Sequence, residues 1–184
     1  YDKLNKYTGS GIWIHGTPQN TFSRAPESSD GCIVLSNHDL KKIANILNTP
    51  NTPIIISDKS LIESNTLIDH KQTILNKVEN WKKYWEKKDF NSYIKFYEKN
   101  SMYNNHSYEN WTPKKRDVIN KSKNIDIKLS NISIFEYPNI ENEMVLVNFD
   151  QYYKSNLTAI KMHKTQIWIK KIDGWKILYE GRGN

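Results

Sequence analysis

Apolar and polar residues alternate over residues 12–15, a pattern typical of a short β-strand. The alternation places Trp13 and His15 on the same face of that strand. The polar stretch 19–29 has no apolar period and predicts a loop after the strand. The apolar run 33–35 then predicts a return of the chain into the core.

A short amphipathic helix is predicted next, over residues 39–47, with Ser36 or Asn37 as its N-cap. Two prolines follow and end it. The run 54–56, which consists of three isoleucines, predicts a brief buried strand.

Helical spacing of apolar residues predicts three helices in the second half of the chain. The first spans 70–88, the second spans 90–98 with Asp89 as its N-cap, and the third spans 113–123 with Thr112 as its N-cap. The apolar stripe of the first helix consists of Ile74, Leu75, Val78, Trp81 and Trp85.

Four long strands are predicted after the helices. Their ranges are 125–137, 144–154, 158–171 and 175–180. The alternation changes register near Ser130 and Asn131, which indicates a β-bulge. An Asp173-Gly174 hairpin turn joins the last two strands. Helices followed by an antiparallel meander predict an α+β fold with the helices on one face of a curved sheet.

Charge and aromatic content divide the chain at the same place. Residues 1–68 carry 6 basic and 6 acidic residues, whereas residues 69–184 carry 21 and 14, so the net charge of +7 lies in the second part. Only 4 of the aromatic residues precede residue 69, and 18 follow it. This shift predicts two domains, 1–68 and 69–184.

Cys32 is the only cysteine of the chain, so it has no disulfide partner within it. A lone cysteine with a histidine such as His15 nearby in space is a candidate nucleophile and base. The alternative is a small buried apolar side chain and an unrelated surface histidine. The preceding Asp30-Gly31 pair favours a tight turn that presents the cysteine, which supports the catalytic interpretation.

The order His15-Gly16, a loop, then Ser29-x-Gly31-Cys32 resembles the signature of the L,D-transpeptidase (YkuD) catalytic domain. The resemblance implies that Cys32 is the nucleophile and that His15 is the base, oriented by the backbone carbonyl of Gly16. It implies a thioester intermediate and no metal or other cofactor. The N–H groups of Gly31 and Cys32 are then the natural oxyanion donors.

Two positions depart from the usual signature, since Asp30 stands where histidine is common and Val34 where arginine or asparagine is common. These departures resemble the branch that trims peptidoglycan stems as L,D-carboxypeptidases. Candidate substrate contacts are Trp13, Arg24, Ser29 and Asp30. A complete domain of this type is longer than 68 residues, so we expect residues 1–68 to be its mostly-β C-terminal part, with an upstream portion missing.

The second domain resembles an NTF2-like cone, through its Trp-x-x-Tyr-Trp run, its Asp-Phe pair and its terminal Asp-Gly-Trp-Lys-Ile strand. Most of its aromatic side chains are expected to form the core. Tyr103, Tyr108 and Trp111 lie in a predicted polar loop and are the candidates for exposure. Available acid–base groups are Asp126, Glu136, Asp150, His106 and His163, but no spacing singles out a pair. We therefore interpret this half as a binding or positioning module.

The lysines of the second half are spread along predicted outer faces and form no dense run, so nucleic acid is not an expected partner. An anionic polymer such as peptidoglycan, whose stems carry free carboxylates, fits a weakly basic surface better. His38 lacks further ligands at metal-binding spacing, and no membrane-spanning segment is visible.

Three functions remain. The tandem of domains resembles the cell-shape-determining L,D-carboxypeptidases of helical bacteria, which trim tetrapeptide stems to tripeptides in the periplasm. The second function is an L,D-transpeptidase that forms crosslinks. The third is a non-catalytic module whose NTF2-like cone binds a glycan or peptide, or which mediates homodimer formation.

Overall fold

The computed structural model divides the chain into two compact units, between residues 53 and 54. It describes residues 12–23, 25, 29, 31–47, 52, 54, 65–137 and 141–183. The predicted domain boundary after residue 68 stays a prediction.

The first unit places two short strands side by side. Strand β1 (Ile14–His15) pairs in parallel with β2 (Ile33–Val34), and helix α1 (Asn37–Ala44) follows. Ser36 is the N-cap of α1, because its Oγ accepts a hydrogen bond from the Asp39 N–H at 3.1 Å. The helix therefore begins two residues earlier than the apolar pattern predicts. Of the predicted strand 54–56, all but Ile54 lies outside the described residues.

The second unit contains three helices and one sheet of six strands. Trp81, Trp85 and the other members of the predicted stripe are buried, except that Leu75 is partly buried. The helices are α2 (Asn65–Glu86), α3 (Phe90–Ile94) and α4 (Tyr108–Lys121). The strands are β3 (Tyr97–Tyr103), β4 (His106–Ser107), β5 (Asp126–Glu136), β6 (Met144–Lys154), β7 (Ala159–Lys171) and β8 (Gly174–Arg182).

The sheet has the strand order β4-β3-β8-β7-β6-β5, and all neighbouring pairs are antiparallel except β3 with β8. The predicted bulge is present, since the register of β5 against β6 shifts between Ser130 and Ser133 and Asn131 has a φ of +53°. Strand β6 has the predicted bounds. The α+β prediction, with helices packed on a curved sheet, is confirmed.

Two predicted helices differ from the structure. The second ends at Ile94 instead of residue 98, because Tyr97 begins β3 and pairs with Ile177 of β8. The third begins at Tyr108, so Pro113 lies inside the helix and not at its first position. The early start packs Trp111 against Tyr97, with ring centroids 4.8 Å apart.

Candidate active site

Parallel pairing of β1 with β2 brings the two candidate catalytic residues onto one small sheet. The Ile33 N–H donates to the Trp13 carbonyl at 2.9 Å, and the Leu35 N–H donates to the His15 carbonyl at 3.0 Å. His15 is the register partner of Val34. One step earlier in the same register, Trp13 lies beside Cys32.

Residues paired across parallel strands project to the same face, and every second residue of a strand shares that face. Trp13, His15, Cys32 and Val34 therefore belong to one face of the β1–β2 pair. His15 and Cys32 are diagonal neighbours on it, a relation within reach of long side chains. The sequence alternation alone could not establish this relation, because it needs the register of two strands.

The imidazole of His15 contacts the backbone of the next residue. Its Nδ1 lies 2.8 Å from the carbonyl oxygen of Gly16. A carbonyl oxygen can only accept, so this hydrogen bond requires a proton on Nδ1, and in a neutral imidazole the lone pair is then on Nε2. A neutral imidazole held this way can accept a proton from a neighbouring thiol through Nε2.

Cys32 is half-buried and is a free thiol at the position immediately before β2. Ser29 Oγ donates to the Cys32 carbonyl oxygen at 2.6 Å. Gly31, between them, has a φ of +95°, which side chains of L-residues rarely allow. Ser29 and Gly31 thus set the turn that precedes the thiol, and the oxyanion role of the Gly31 and Cys32 N–H groups stays a prediction.

The loop after His15 begins with a compact turn. Thr17 is buried, its hydroxyl donates to the Thr21 carbonyl at 2.5 Å, and the Thr21 N–H donates to the Pro18 carbonyl at 2.9 Å. Trp13 is 70% exposed on the face shared with His15. The predicted substrate contacts Arg24 and Asp30 lie outside the described residues.

The second unit has a charged group at the centre of its core. Glu180 is fully buried, and its Oε1 accepts a hydrogen bond from Lys164 Nζ. Its Oε2 accepts from the Tyr97 hydroxyl at 2.5 Å and from Gln166 Nε2 at 3.1 Å. Burial would raise the pKa of Glu180, but Lys164 and Lys115 lower that pKa below its ordinary value. The carboxylate is therefore ionised.

A second amine lies near this pair. Lys115 Nζ is 3.3 Å from the ring centroid of Trp85 and 5.4 Å from that of Tyr93. Burial and the neighbouring Lys164 ammonium hold the pKa of Lys115 well below its ordinary range. Burial lowers the pKa of Lys164 as well, but Glu180 more than offsets this and raises it above its ordinary value.

Several buried polar atoms of the second unit have no hydrogen-bond partner among the described residues. They are Trp85 Nε1, Ser101 Oγ, Trp111 Nε1, Thr112 Oγ1 and Gln151 Oε1. Buried polar groups normally have partners, so such atoms indicate a place where a ligand or water completes the bonding. Sequence reasoning missed Lys115, Lys164 and Glu180. The alternation of Lys164 with Gln166 and Trp168 on one face of β7 was the available signal.

The three aromatic residues predicted to be exposed are not. Trp111 is 3% exposed, and Tyr103 and Tyr108 pack partly buried against the core. They pack inward because α4 and β3 form where a polar loop was expected.

Of the candidate acid–base groups, Asp150 and His163 meet. They are register partners on β6 and β7, with His163 Nδ1 2.9 Å from Asp150 Oδ1. Asp126 and Glu136 form the two ends of β5, and His106 belongs to β4. Within the described part of the chain, no group of three or more His, Cys, Asp or Glu side chains is placed to hold a metal ion. None of the helices there is long and apolar enough to cross a membrane.

Two family models match the chain. Residues 73–181 match the Cds6 C-terminal NTF2-like domain, and residues 1–56 match the L,D-transpeptidase (YkuD) catalytic domain. No curated protein matches it.

Solved structures match both parts together. Bd1075 of Bdellovibrio bacteriovorus is 30% identical over 99% of this chain and 64% of that one, with a TM-score of 0.77. The helical cell shape determining protein Pgp2 of Campylobacter jejuni is 29% identical over 97% of this chain and 63% of that one, with a TM-score of 0.74. The chain thus spans less than two thirds of these relatives.

An NTF2-like protein of unknown function from Pseudomonas putida matches 63% of this chain with a TM-score of 0.53 and 10% identity, which shows the fold alone. Because the match over residues 73–181 covers more than half of the chain, this chain belongs to the family of Cds6 C-terminal NTF2-like domains, and residues 1–56 match part of the L,D-transpeptidase (YkuD) catalytic domain.

Proposed function

We propose that the chain is part of a cysteine L,D-carboxypeptidase that removes the terminal D-Ala from peptidoglycan tetrapeptide stems and leaves tripeptides. One observation carries the proposal: His15 Nδ1 is bonded to the Gly16 carbonyl at 2.8 Å, on the strand face that also carries Cys32. The match of residues 1–56 to the L,D-transpeptidase domain supports the same chemistry.

In the proposed reaction, His15 Nε2 takes the proton of the Cys32 thiol. The thiolate attacks the carbonyl carbon of the L-centre of diaminopimelate, and the N–H groups of Gly31 and Cys32 stabilise the oxyanion. When the tetrahedral intermediate collapses, the peptide C–N bond breaks and His15 gives its proton to the departing amine of D-Ala. Water then hydrolyses the thioester, and the thiol is restored.

An L,D-transpeptidase is the second candidate, in which an amine of another stem replaces water in the last step. Val34, at the position where that family commonly has arginine or asparagine, provides no polar group to a second stem and favours hydrolysis. Under either reaction the proposed location is the periplasm, because the proposed substrate belongs to the cell wall.

The NTF2-like domain, predicted as 69–184, is proposed to bind a peptide or glycan of the same polymer in its cone. Lys115 Nζ lies over the Trp85 ring, 3.3 Å from its centroid, and Gln151 Oε1 has no hydrogen-bond donor among the residues described. A stem peptide offers a carboxylate for the first and an N–H group for the second. Calorimetric titration with a purified tripeptide stem should show binding to the wild-type protein. Lys115→Met should abolish this binding, whereas Lys114→Met, at the exposed neighbouring position, should retain it.

Homodimer formation through this domain is the remaining proposal, since an accessory domain without catalysis needs a binding role. Light scattering of the purified full-length protein across a range of concentrations decides it. A mass of two chains supports the dimer, and a single-chain mass throughout rejects it.

The decisive experiment is a digest of disaccharide-tetrapeptide by the full-length protein, read by mass spectrometry, with Cys32→Ala as control. Loss of one terminal alanine that requires Cys32 supports the carboxypeptidase. Crosslinked or exchanged stems assign the transpeptidase. If the protein is folded and the substrate is unchanged, the result supports the non-catalytic module.

A further inference from the structure

The segment that carries Cys32 also carries Asn37, at the first position of α1. The start of this helix is well defined. Ser36 Oγ accepts from the Asp39 N–H, the Ser36 carbonyl accepts from the Leu40 N–H at 2.9 Å, and Ser36 Oγ donates to Asp39 Oδ2 at 2.8 Å. These hydrogen bonds hold the backbone of Asn37 in place, so the position of its Cβ is well defined.

The side chain of Asn37 reaches back to the residues that follow His15. Its Nδ2 donates to the Thr17 carbonyl at 2.9 Å, across 20 residues of sequence. Its Oδ1 occupies the space beside Gly16, because a Cβ added at Gly16 would lie 2.0 Å from that oxygen. Asn37 thus contacts the chain on both sides of the peptide bond that joins Gly16 to Thr17.

That peptide bond contains the carbonyl to which His15 Nδ1 is bonded. A peptide unit is planar, so its carbonyl can turn only when the whole plane rotates about the axis between its two Cα atoms, and the contacts of Asn37 on both sides restrain that rotation. We propose that Asn37 is a positioning residue for His15: it holds the Gly16 carbonyl where it keeps the proton of His15 on Nδ1 and leaves Nε2 free for the Cys32 thiol.

This inference rests on the proposed function for its catalytic consequence, but its structural part stands on the contacts alone. It also gives Gly16 a reason to be glycine, which is to admit Asn37. One stretch of six residues, 32–37, then positions both the nucleophile and, through Asn37, its base.

The test measures the rate at which iodoacetamide alkylates Cys32 in the full-length protein as a function of pH, with the label located by peptide mass. A thiol without a base ionises near pH 8.5, so His15 increases the rate mainly at neutral pH. Asn37→Ala should lower the rate at pH 7 by about 10- to 100-fold, as expected for a misplaced base. Near pH 10 the rates of variant and wild type should converge.

Asn45→Ala is the matched control, since Asn45 caps the other end of the same helix and is exposed. Asn37→Ala should add nothing in a His15→Ala background, because both changes remove the same assistance. Where wild-type Cys32 reacts faster than a free thiol, a neutral-pH rate that Asn37→Ala leaves unchanged, or a loss that persists undiminished without His15, overturns the proposal. If Asn37→Ala does not fold, Asn37→Leu keeps nearly the same size and removes the N–H donor without adding a charge, and the same outcomes apply.

Nitrogen NMR of His15 separates this inference from the proposed function. If Cys32 of the wild type reacts no faster than a free thiol, the result contradicts the proposed enzymatic function but not the positioning role of Asn37. In that event the tautomer decides: we expect Nδ1 to be protonated in the wild type and Nε2 protonation to appear in Asn37→Ala. Identical tautomers in both proteins overturn the role of Asn37.

Discussion

The Lys164 ammonium and the Glu180 carboxylate form an ion pair inside the six-stranded sheet, with side-chain exposures of 3% and 0%. They lie diagonally opposite each other on the neighbouring strands β7 and β8. Glu180 is the register partner of Gln166, and Lys164 is the register partner of Arg182. Tyr97 and Gln166 complete the bonding of the carboxylate. Because a buried charge is costly without its partner, removing either member of this pair alone should destabilise the second unit.

Replacing Glu180 by glutamine should destabilise the protein strongly, because Lys164 then keeps a buried charge without a counter-ion. We expect the free energy of unfolding in urea to fall by about 3–5 kcal/mol. Glu143→Gln is the control, since Glu143 and Lys170 form a pair in which both side chains are about half exposed, and such pairs contribute at most about 1 kcal/mol. Equal losses in the two variants would contradict the assignment.

Acid should weaken the fold through the same carboxylate. The pKa of Glu180 is lower in the folded protein than its ordinary value of 4.5, so the folded state binds the proton less readily than the unfolded chain. The stability that Glu180 contributes is then fully present above about pH 4.5 and is lost as the pH falls through the folded pKa.

Asp150 acts in the same direction, because hydrogen bonds from His163 and Asn131 lower its pKa. The free energy of unfolding, measured by urea titration between pH 7 and pH 3, should therefore decline below about pH 4.5. Asp150→Asn should reduce the slope of that decline, and a slope that it leaves unchanged would rule out this contribution.

Replacing Lys115 by methionine should raise the free energy of unfolding at neutral pH. The pKa of Lys115 is lowered by burial and by Lys164, so the folded protein binds the Lys115 proton less readily than the unfolded chain does. The free energy of unfolding therefore rises as the pH rises towards the ordinary lysine value of 10.5. We expect a gain of about 1 kcal/mol at pH 7 that shrinks near pH 10. Lys114→Met, at the exposed neighbouring position, should show neither effect. A pH-independent gain would mean that packing, not charge, is responsible.

Gly31 should tolerate substitution according to backbone preference and not size. A Cβ there meets no atom within 4 Å, but the φ of +95° strains residues other than glycine by about 1–2 kcal/mol. Gly31→Ala and Gly31→Val should therefore slow alkylation of Cys32 and activity on tetrapeptide, and Gly31→Asn should slow them less. Variants that all react like the wild type would show that this turn does not position the thiol.

Local patterns predicted much of the fold. The apolar stripe of α2, the bulge near Asn131, the bounds of β6 and the hairpin between β7 and β8 all depend on neighbours close in sequence. The turn of that hairpin consists of residues 172 and 173, one position earlier than the predicted Asp173-Gly174 pair, because Gly174 pairs with Lys171. The candidate residues His15, Gly16 and Cys32 were also apparent from a short motif. Such features are encoded by side-chain period and by turn residues, which act over a few positions.

Long-range pairing decided the rest. The stretch 95–103 has helical spacing at its start, yet it forms β3 because β8 offers it a partner more than 70 residues away. The contacts of Lys115, Lys164 and Glu180 arise only when α4, β7 and β8 meet, and burial then shifts their pKa values.

In the first unit, the sequence by itself determined that a histidine-glycine strand end and a glycine-cysteine turn exist. Only the tertiary structure decided that their two strands pair in parallel, that His15 and Cys32 share a face, and that Asn37 fills the space left by Gly16. The reason is physical: residue spacing specifies which way a side chain points along its own strand, whereas the neighbour that it meets depends on strand register and on packing between distant segments.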